Sequence, residues 1–129
     1  MRPLRILTSD GRPVAAQAQV ALSLFERMNG WLGKPAPAPG EGLLLPGTSS
    51  VHSWGMRFSF DLAFLDREGE IVKLCPGMAP YSVAYGPFKA WVGMRGLQAL
   101  ELPEGTLGRL GLKVGERLVF EDRPGSGNV

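Results

Sequence analysis

The chain has 129 residues, 44% hydrophobic and 20% charged, which fits one globular domain and excludes a wholly disordered or fibrous chain and a second catalytic domain. Lys plus Arg number 14 against 12 Asp plus Glu, a net charge of +2, and the basic residues are scattered singly, so nucleic acid is not an expected partner. Eighteen glycines and eleven prolines argue against a helical bundle, and the lone cysteine, Cys75, excludes an internal disulfide framework and a multi-cysteine metal site.

A lone thiol suits a reducing compartment, which makes the cytoplasm the expected location. The first nineteen residues lack the sustained apolar stretch of a signal peptide. No run approaches the ~18 apolar residues of a membrane span, so no membrane association is expected. The scarcity of Asn and Gln beside abundant Arg and Pro is compatible with a thermophilic source.

In chain order, residues 4–8, the turn Ser9-Asp10-Gly11-Arg12 and the alternation of Val14, Ala16, Ala18 and Val20 predict an opening β-hairpin. Alanine propensity leaves a helix open as an alternative over residues 14–20. Leu22, Phe25, Met28 and Leu32 share one helical face, with Ser23 near its start, and predict a short amphipathic helix. The stretch Lys34-Pro-Ala-Pro-Ala-Pro-Gly40 removes one backbone donor per proline and reads as an exposed loop.

Eight short β-compatible runs follow, at residues 42–45, 51–57, 59–66, 70–75, 81–85, 90–94, 97–102 and 117–121. The clearest pair is 61–72, a hairpin in which Gly69 supplies the positive φ that the turn requires. Such short strands without regular intervening helices argue against parallel crossovers. The expected fold is therefore mainly β: a small antiparallel β-barrel or sandwich with one short α-helix near the N-terminus. Residues 1–122 form its single domain and residues 123–129 a flexible tail.

No phosphate-binding loop, dinucleotide fingerprint, nucleophile elbow, zinc-hydrolase or calcium-loop pattern occurs. His52 is the only histidine, so a metal site within one chain is improbable, and no metal or cofactor is expected. The densest polar cluster is His52-Ser-Trp54-Gly-Met56-Arg57, followed by Asp61 and Asp66. In an extended strand without a bulge at Gly55, His52, Trp54 and Met56 share a face, with Ser53 and Arg57 opposite. His52 and Arg57 could present donors to an anionic or carbonyl-bearing ligand against a wall of Trp54 or Met56.

The structural alternative pairs Arg57 with Asp61 and uses His52 to cap a turn. Asp61, flanked by Phe60 and Leu62, is either a hydrogen-bonded buried acid or a site acid. Cys75 reads as core filler rather than nucleophile. Trp31, Trp54, Met78, Tyr81, Tyr85, Phe88, Trp91 and Met94 read as core, with a ligand cavity as the alternative.

The motif order resembles the uncharacterised prokaryotic family catalogued as domain of unknown function 192. The resemblance is carried by Glu26-Arg-Met-Asn-Gly30-Trp-Leu-Gly33, Gly40-Glu-Gly-Leu-Leu44, Val51-His-Ser-Trp-Gly-Met-Arg-Phe58, Asp61-Leu-Ala-Phe-Leu-Asp66 with Gly69 and Ile71-Val72, Ala79-Pro-Tyr81, Leu100-Glu-Leu-Pro-Glu-Gly105 and Gly111-Leu-Lys-Val-Gly115, spanning about residues 4–120. It implies a small, mainly β domain with a short helix and implies no activity. The family's most distinctive stretch maps onto His52, Met56, Arg57, Asp61 and Asp66. This chain departs from the usual pattern at Ser59-Phe60 and at Ser82, where the family often carries arginine.

The leading expectation is a ligand-binding or accessory module, non-enzymatic, with candidate site residues His52, Trp54, Met56, Arg57, Asp61 and Asp66. One alternative is a hydrolase or isomerase with Asp61 or Asp66 as general base and His52 or Arg57 as electrophilic partner. Another is an interaction module that docks a protein partner through a sheet edge or apolar patch.

Overall fold

The computed structural model describes residues 1–23, 26, 31, 33–87 and 96–123. β1 (Arg2–Thr8) and β2 (Pro13–Val20) form the opening antiparallel hairpin, so residues 14–20 are strand. At its tip the Thr8 N–H donates to the Arg12 carbonyl at 2.8 Å, and the Thr8 hydroxyl bonds Asp10. β3 (Glu41–Pro46), β5 (Phe60–Leu65), β6 (Ile71–Met78), β8 (Gln98–Pro103) and β9 (Leu118–Asp122) complete a seven-stranded sheet of order β6-β5-β8-β3-β2-β1-β9. β4 (Ser50–His52) and β7 (Val83–Tyr85) pair antiparallel as a separate two-stranded sheet.

Two expectations are corrected. β2 and β3 pair in parallel, Gln17 with Glu41 through Val20 with Leu44. The intervening residues 21–40 are long enough for the crossover that a parallel pair requires. The sheet is also not closed into a barrel: its edge strands form no ladder and approach only where residues 69–71 meet 115–118, through the Glu70–Arg117 bridge and the N–H bonds of Leu118 to Gly69, Ile71 to Glu116 and Gly115 to Ile71. Gly69, with φ of 87°, makes that approach possible, because a Cβ there would lie 2.6 Å from the Leu118 carbonyl oxygen. The same glycine turns the predicted hairpin between β5 and β6.

The helix among the described residues is α1 (Thr106–Leu110), in the C-terminal half, and not the one expected near the N-terminus. In the segment where that helix was expected, the Ser23 hydroxyl accepts the Glu26 N–H at 3.0 Å and the Glu26 carboxylate accepts the Leu22 N–H at 2.8 Å. The rest of that segment lies largely outside the described residues, as does the run expected at 90–94. Glu26 also accepts the Met1 ammonium at 2.8 Å, which holds its carboxyl below the usual range. Arg123, where the tail was expected to begin, donates to the Leu4 and Ala18 carbonyls at 2.9 and 2.7 Å.

Both faces of the sheet are covered. One carries Leu4, Ile6, Val20, Leu65, Ile71, Leu100 and Leu102, capped by Leu107 of α1. The other carries Leu43, Leu45, Phe60, Leu62 and Phe64, and packs with Val51, Met56 and the half-buried Ala84. β5 runs between β6 and β8 with all six residues buried, as its nearly continuous apolar sequence requires. β4 and β7 thus form an outer layer, and this places the candidate site.

Candidate functional site

Alternation along the two short strands decides which side chains reach solvent. Val51 and Ala84 are register partners and pack inward, while the pairs Ser50 with Tyr85 and His52 with Val83 point outward. The outer face forms a groove of about 530 Å³ lined by Ser50, Val51, His52, Trp54, Val83 and Tyr85.

Just beyond β4 the chain turns sharply. The Met56 N–H donates to the Ser53 carbonyl at 3.1 Å across a turn whose third residue, Gly55, has φ of 81°. That conformation matches a type II turn, which selects glycine at that position. The turn holds Trp54 at its apex, 49% exposed, and returns Met56 to the core at 7%. His52, Trp54 and Met56 therefore do not share a face as an uninterrupted strand would place them.

Ser53, fully buried, ties this turn to the loop that precedes β7. Its hydroxyl donates to the Ala79 carbonyl at 2.6 Å and accepts the Ser82 N–H at 2.7 Å, and its carbonyl accepts the Tyr81 N–H at 3.1 Å. Held this way, Tyr81 adopts φ of 60°, the only non-glycine residue with positive φ among those described. Such a conformation costs on the order of 1 kcal/mol and is kept only where surrounding bonds determine it. The rings of His52 and Trp54 meet edge to face with centroids 5.7 Å apart, and those of Trp54 and Tyr81 at 6.4 Å. Trp54, Tyr81 and Tyr85, expected in the core, are thus exposed, whereas Met78 is buried as expected. Phe88, Trp91 and Met94 lie outside the described residues.

The other candidates lie elsewhere. Arg57 is exposed and makes no hydrogen bond or ion pair among the described residues, so the expected alternative pairing with Asp61 is not formed. Asp61 is 1% exposed, with one carboxylate oxygen accepting the Gly77 N–H at 2.9 Å and the other the Leu107 N–H at 2.8 Å. Opposite Asp61, β6 carries an extra residue at Pro76-Gly77, since Phe60 pairs with Met78 but Leu62 with Cys75. The carboxylate satisfies an N–H that this bulge removes from the ladder.

Asp66 lies beyond the other end of β5, about 17 Å from Asp61 at the ordinary strand rise. There it accepts the N–H groups of Glu68 and Glu70, both at 2.9 Å, in the hairpin turn. Burial pushes the half-buried Cys75 thiol up, which disfavours the thiolate. Among the described residues no three His, Cys, Asp or Glu side chains gather to hold a metal.

Sequence reasoning missed Val83 and favoured the core for Tyr85, keeping a ligand cavity as its alternative. The available signal was Val83-Ala84-Tyr85, where a small residue between two large ones marks the inward position. It also missed Glu101, whose register partners on either side are Leu43 and Leu62. Glu101 is 6% exposed, and burial in these apolar surroundings pushes its carboxyl up to about 8.

Among the described residues the groove's lining contains no carboxylate, ammonium, guanidinium or thiol, and the Lys73 ammonium lies beside it, donating to the Tyr85 carbonyl at 2.7 Å. The lining offers the hydroxyl, imidazole and indole of Ser50, His52 and Trp54 against apolar ring faces. Such a surface suits a neutral ligand with carbonyl or hydroxyl acceptors.

Fold and site together define a small, open-sheet β domain that displays an aromatic groove on its outer layer. The DUF192 family model, "Uncharacterized ACR", matches residues 5–120, and the chain belongs to that family. No curated protein matches it. Among solved structures it is similar to a "putative transcription regulator" from Sinorhizobium meliloti 1021, with 23% identity, 92% of each chain covered and a TM-score of 0.73. It is also similar to a protein of unknown function from Novosphingobium aromaticivorans DSM 12444, with 21% identity, 91% of this chain and 83% of that one covered, and a TM-score of 0.70. These likenesses show the fold. No helix among the described residues is long and apolar enough to cross a membrane.

Proposed function

We propose that this protein is a binding module without catalytic chemistry of its own, and that its site is the groove at His52 and Trp54. One observation carries the reading: Trp54 and Tyr85, aromatic side chains that a small β domain would ordinarily bury, are held out to solvent in a groove, and the ring of Trp54 is met from outside it by Tyr81, itself exposed on a left-handed backbone. Met56 packs in the same core cluster as Val51, beneath the site.

A hydrolase or isomerase has less support, because both Asp61 oxygens already accept backbone N–H groups and Asp66 serves a distant turn. A regulator acting on nucleic acid would need clustered basic residues, and the charge pattern offers none.

Because His52 is the only histidine, its imidazole resonances are a unique probe of the groove. Neutral acetyl-proline amide titrated into the full chain is expected to move them, and Trp54→Ala to abolish the response. A response to inorganic phosphate or acetate alone, or one that survives both Trp54→Ala and His52→Ala, would overturn the reading.

A further inference from the structure

We propose that Glu101 anchors a second binding site, separate from the groove, that takes a small organic ammonium carried on an apolar stem.

Glu101 stands apart from the other buried polar side chains among the described residues. Ser53 and Asp61 are bonded as above, the Thr8 hydroxyl bonds Asp10, and the hydroxyls of Thr48 and Thr106 donate to the Pro46 and Pro103 carbonyls at 3.2 and 2.6 Å. Glu101 is as deeply buried as these, yet it makes no hydrogen bond or ion pair among the described residues, and burial alone acts on its proton. An acid left in this state weakens the fold, and leucine would serve the core better.

Its oxygens are nevertheless within reach. Among the described residues no side-chain oxygen or nitrogen under cover is both sealed from solvent and without a bond. The unbonded Glu101 carboxyl therefore opens onto space that a small group can enter.

Register fixes what surrounds it. Leu43 of β3 and Leu62 of β5 lie directly beside it in the sheet, and Ala99 stands two residues before it on the same face of β8. Phe60 and Phe64 flank Leu62 on that face, and all of these belong to the apolar layer that packs with Val51 and Met56. A carbon stem entering beside the carboxyl meets apolar surface.

Charge selects the other end of the ligand. The titratable groups placed nearest by register on this face are Cys75, one strand beyond Leu62, Glu41, two residues from Leu43, and Lys73, two residues from Cys75. Glu41 accepts the Ala38 N–H at 2.6 Å and Lys73 donates to the Tyr85 carbonyl at 2.7 Å, so both are engaged elsewhere. From the outer layer Val51 and Ala84 point inward, while His52 and Tyr85 point away. A ligand carboxylate would add a second acid to an apolar floor, and a neutral acceptor would use only the single proton of Glu101. An ammonium turns the unpaired acid into a paired carboxylate in surroundings of low dielectric, where that attraction is strongest.

The test is calorimetric titration of the full chain with benzylammonium at pH 7, in two buffers of unlike ionisation enthalpy, with benzyl alcohol and benzoate as controls. Benzylammonium is expected to bind and the two controls to bind far more weakly. Binding should release about one proton from Glu101 to the buffer, because the carboxyl, held up to about 8, is mostly protonated before the ligand arrives. Glu101→Gln, which keeps the volume of the side chain, should weaken benzylammonium about thirtyfold or more, the scale for losing one partner of a buried charge pair. The His52 resonances, which report the groove, should stay in place.

Binding without proton release in wild type would overturn the proposal whether or not the variant folds. So would controls that bind as tightly as benzylammonium, binding that survives Glu101→Gln, benzylammonium that moves the His52 resonances and so occupies the groove, or no benzylammonium binding at all. If benzylammonium is inert while acetyl-proline amide still acts through Trp54, this inference fails and the groove reading stands; if benzylammonium binds through Glu101 and acetyl-proline amide is inert, the reverse holds.

Discussion

The Asp61 carboxylate and the Leu107 N–H, 46 residues apart in sequence, meet at 2.8 Å in the interior. This contact anchors the short helix α1 to β5, and the second carboxylate oxygen holds the bulge of β6 through Gly77. A single acid near the start of β5 therefore joins three elements. Replacing it by alanine leaves the buried Leu107 N–H without a partner and gives the N–H of the exposed Gly77 to water, at a cost of about 1–3 kcal/mol. Asp61→Asn, which presents an amide NH2 toward one of those donors, should cost a similar amount. Urea denaturation checks this, and a loss below about 1 kcal/mol would mean that water or backbone shifts replace the bonds.

Glu101 makes a different prediction, because burial opposes its charged form. Its carboxyl is pushed from the ordinary 4.5 up to about 8 in the folded chain, so between these values the native state keeps a proton that the unfolded state has lost. The stability this contributes is fully present below about pH 4.5 and is lost as pH rises through about 8. Over that window the wild type should lose on the order of 4 kcal/mol relative to Glu101→Gln, whose side chain does not titrate. Denaturant midpoints at successive pH values for both proteins measure the difference. Parallel curves would show that Glu101 is ionised in the native state.

What was legible in the sequence follows the range of the interactions involved. The hairpin of β5 and β6 could be read because its strands, turn and Gly69 are contiguous, and Asp61 because an acid inside an apolar strand entry has few uses. The parallel pairing of β2 with β3 could not, because it is made across the crossover of residues 21–40 and depends on what the whole sheet buries. The exposure of Trp54 and Tyr81 was hidden for another reason. Aromatic bulk is ordinarily core, and only the turn at Gly55 and the buried Ser53 hydroxyl, both tertiary features, direct these rings outward. The rings of His52 and Trp54 do meet, but the strand that was to put them on one face with Met56 ends at His52, and the turn of residues 53–56 follows.

Gly69 tests how firmly the two ends of the open sheet are held together. Any side chain there meets the Leu118 carbonyl and must also adopt φ near 87°. Gly69→Ala should therefore cost about 2–3 kcal/mol, combining left-handed strain with displacement of β9. Amide exchange should show the loss of protection concentrated at Leu118, which donates to the Gly69 carbonyl at 2.9 Å. An alanine variant as stable as wild type would show that this end of the sheet yields without cost.

Tyr81 separates binding from stability. Its side chain is 66% exposed, so its removal forfeits little buried surface, while its φ of 60° is strained for tyrosine and easy for glycine. Tyr81→Gly should be stabilised by about 0.5 kcal/mol, the relief of left-handed strain less the added entropy of the unfolded chain. The same change removes a ring that packs against Trp54, so occupancy of the groove should weaken by roughly tenfold, the loss expected for an aromatic contact of this kind. Thermal unfolding gives the first quantity, and titration monitored at His52 gives the second. A variant that gained stability with undiminished binding would place the recognition surface on His52, Trp54 and Tyr85 alone, whereas one that lost stability would mean that the Tyr81 ring shields the hydrogen bonds of Ser53 from water.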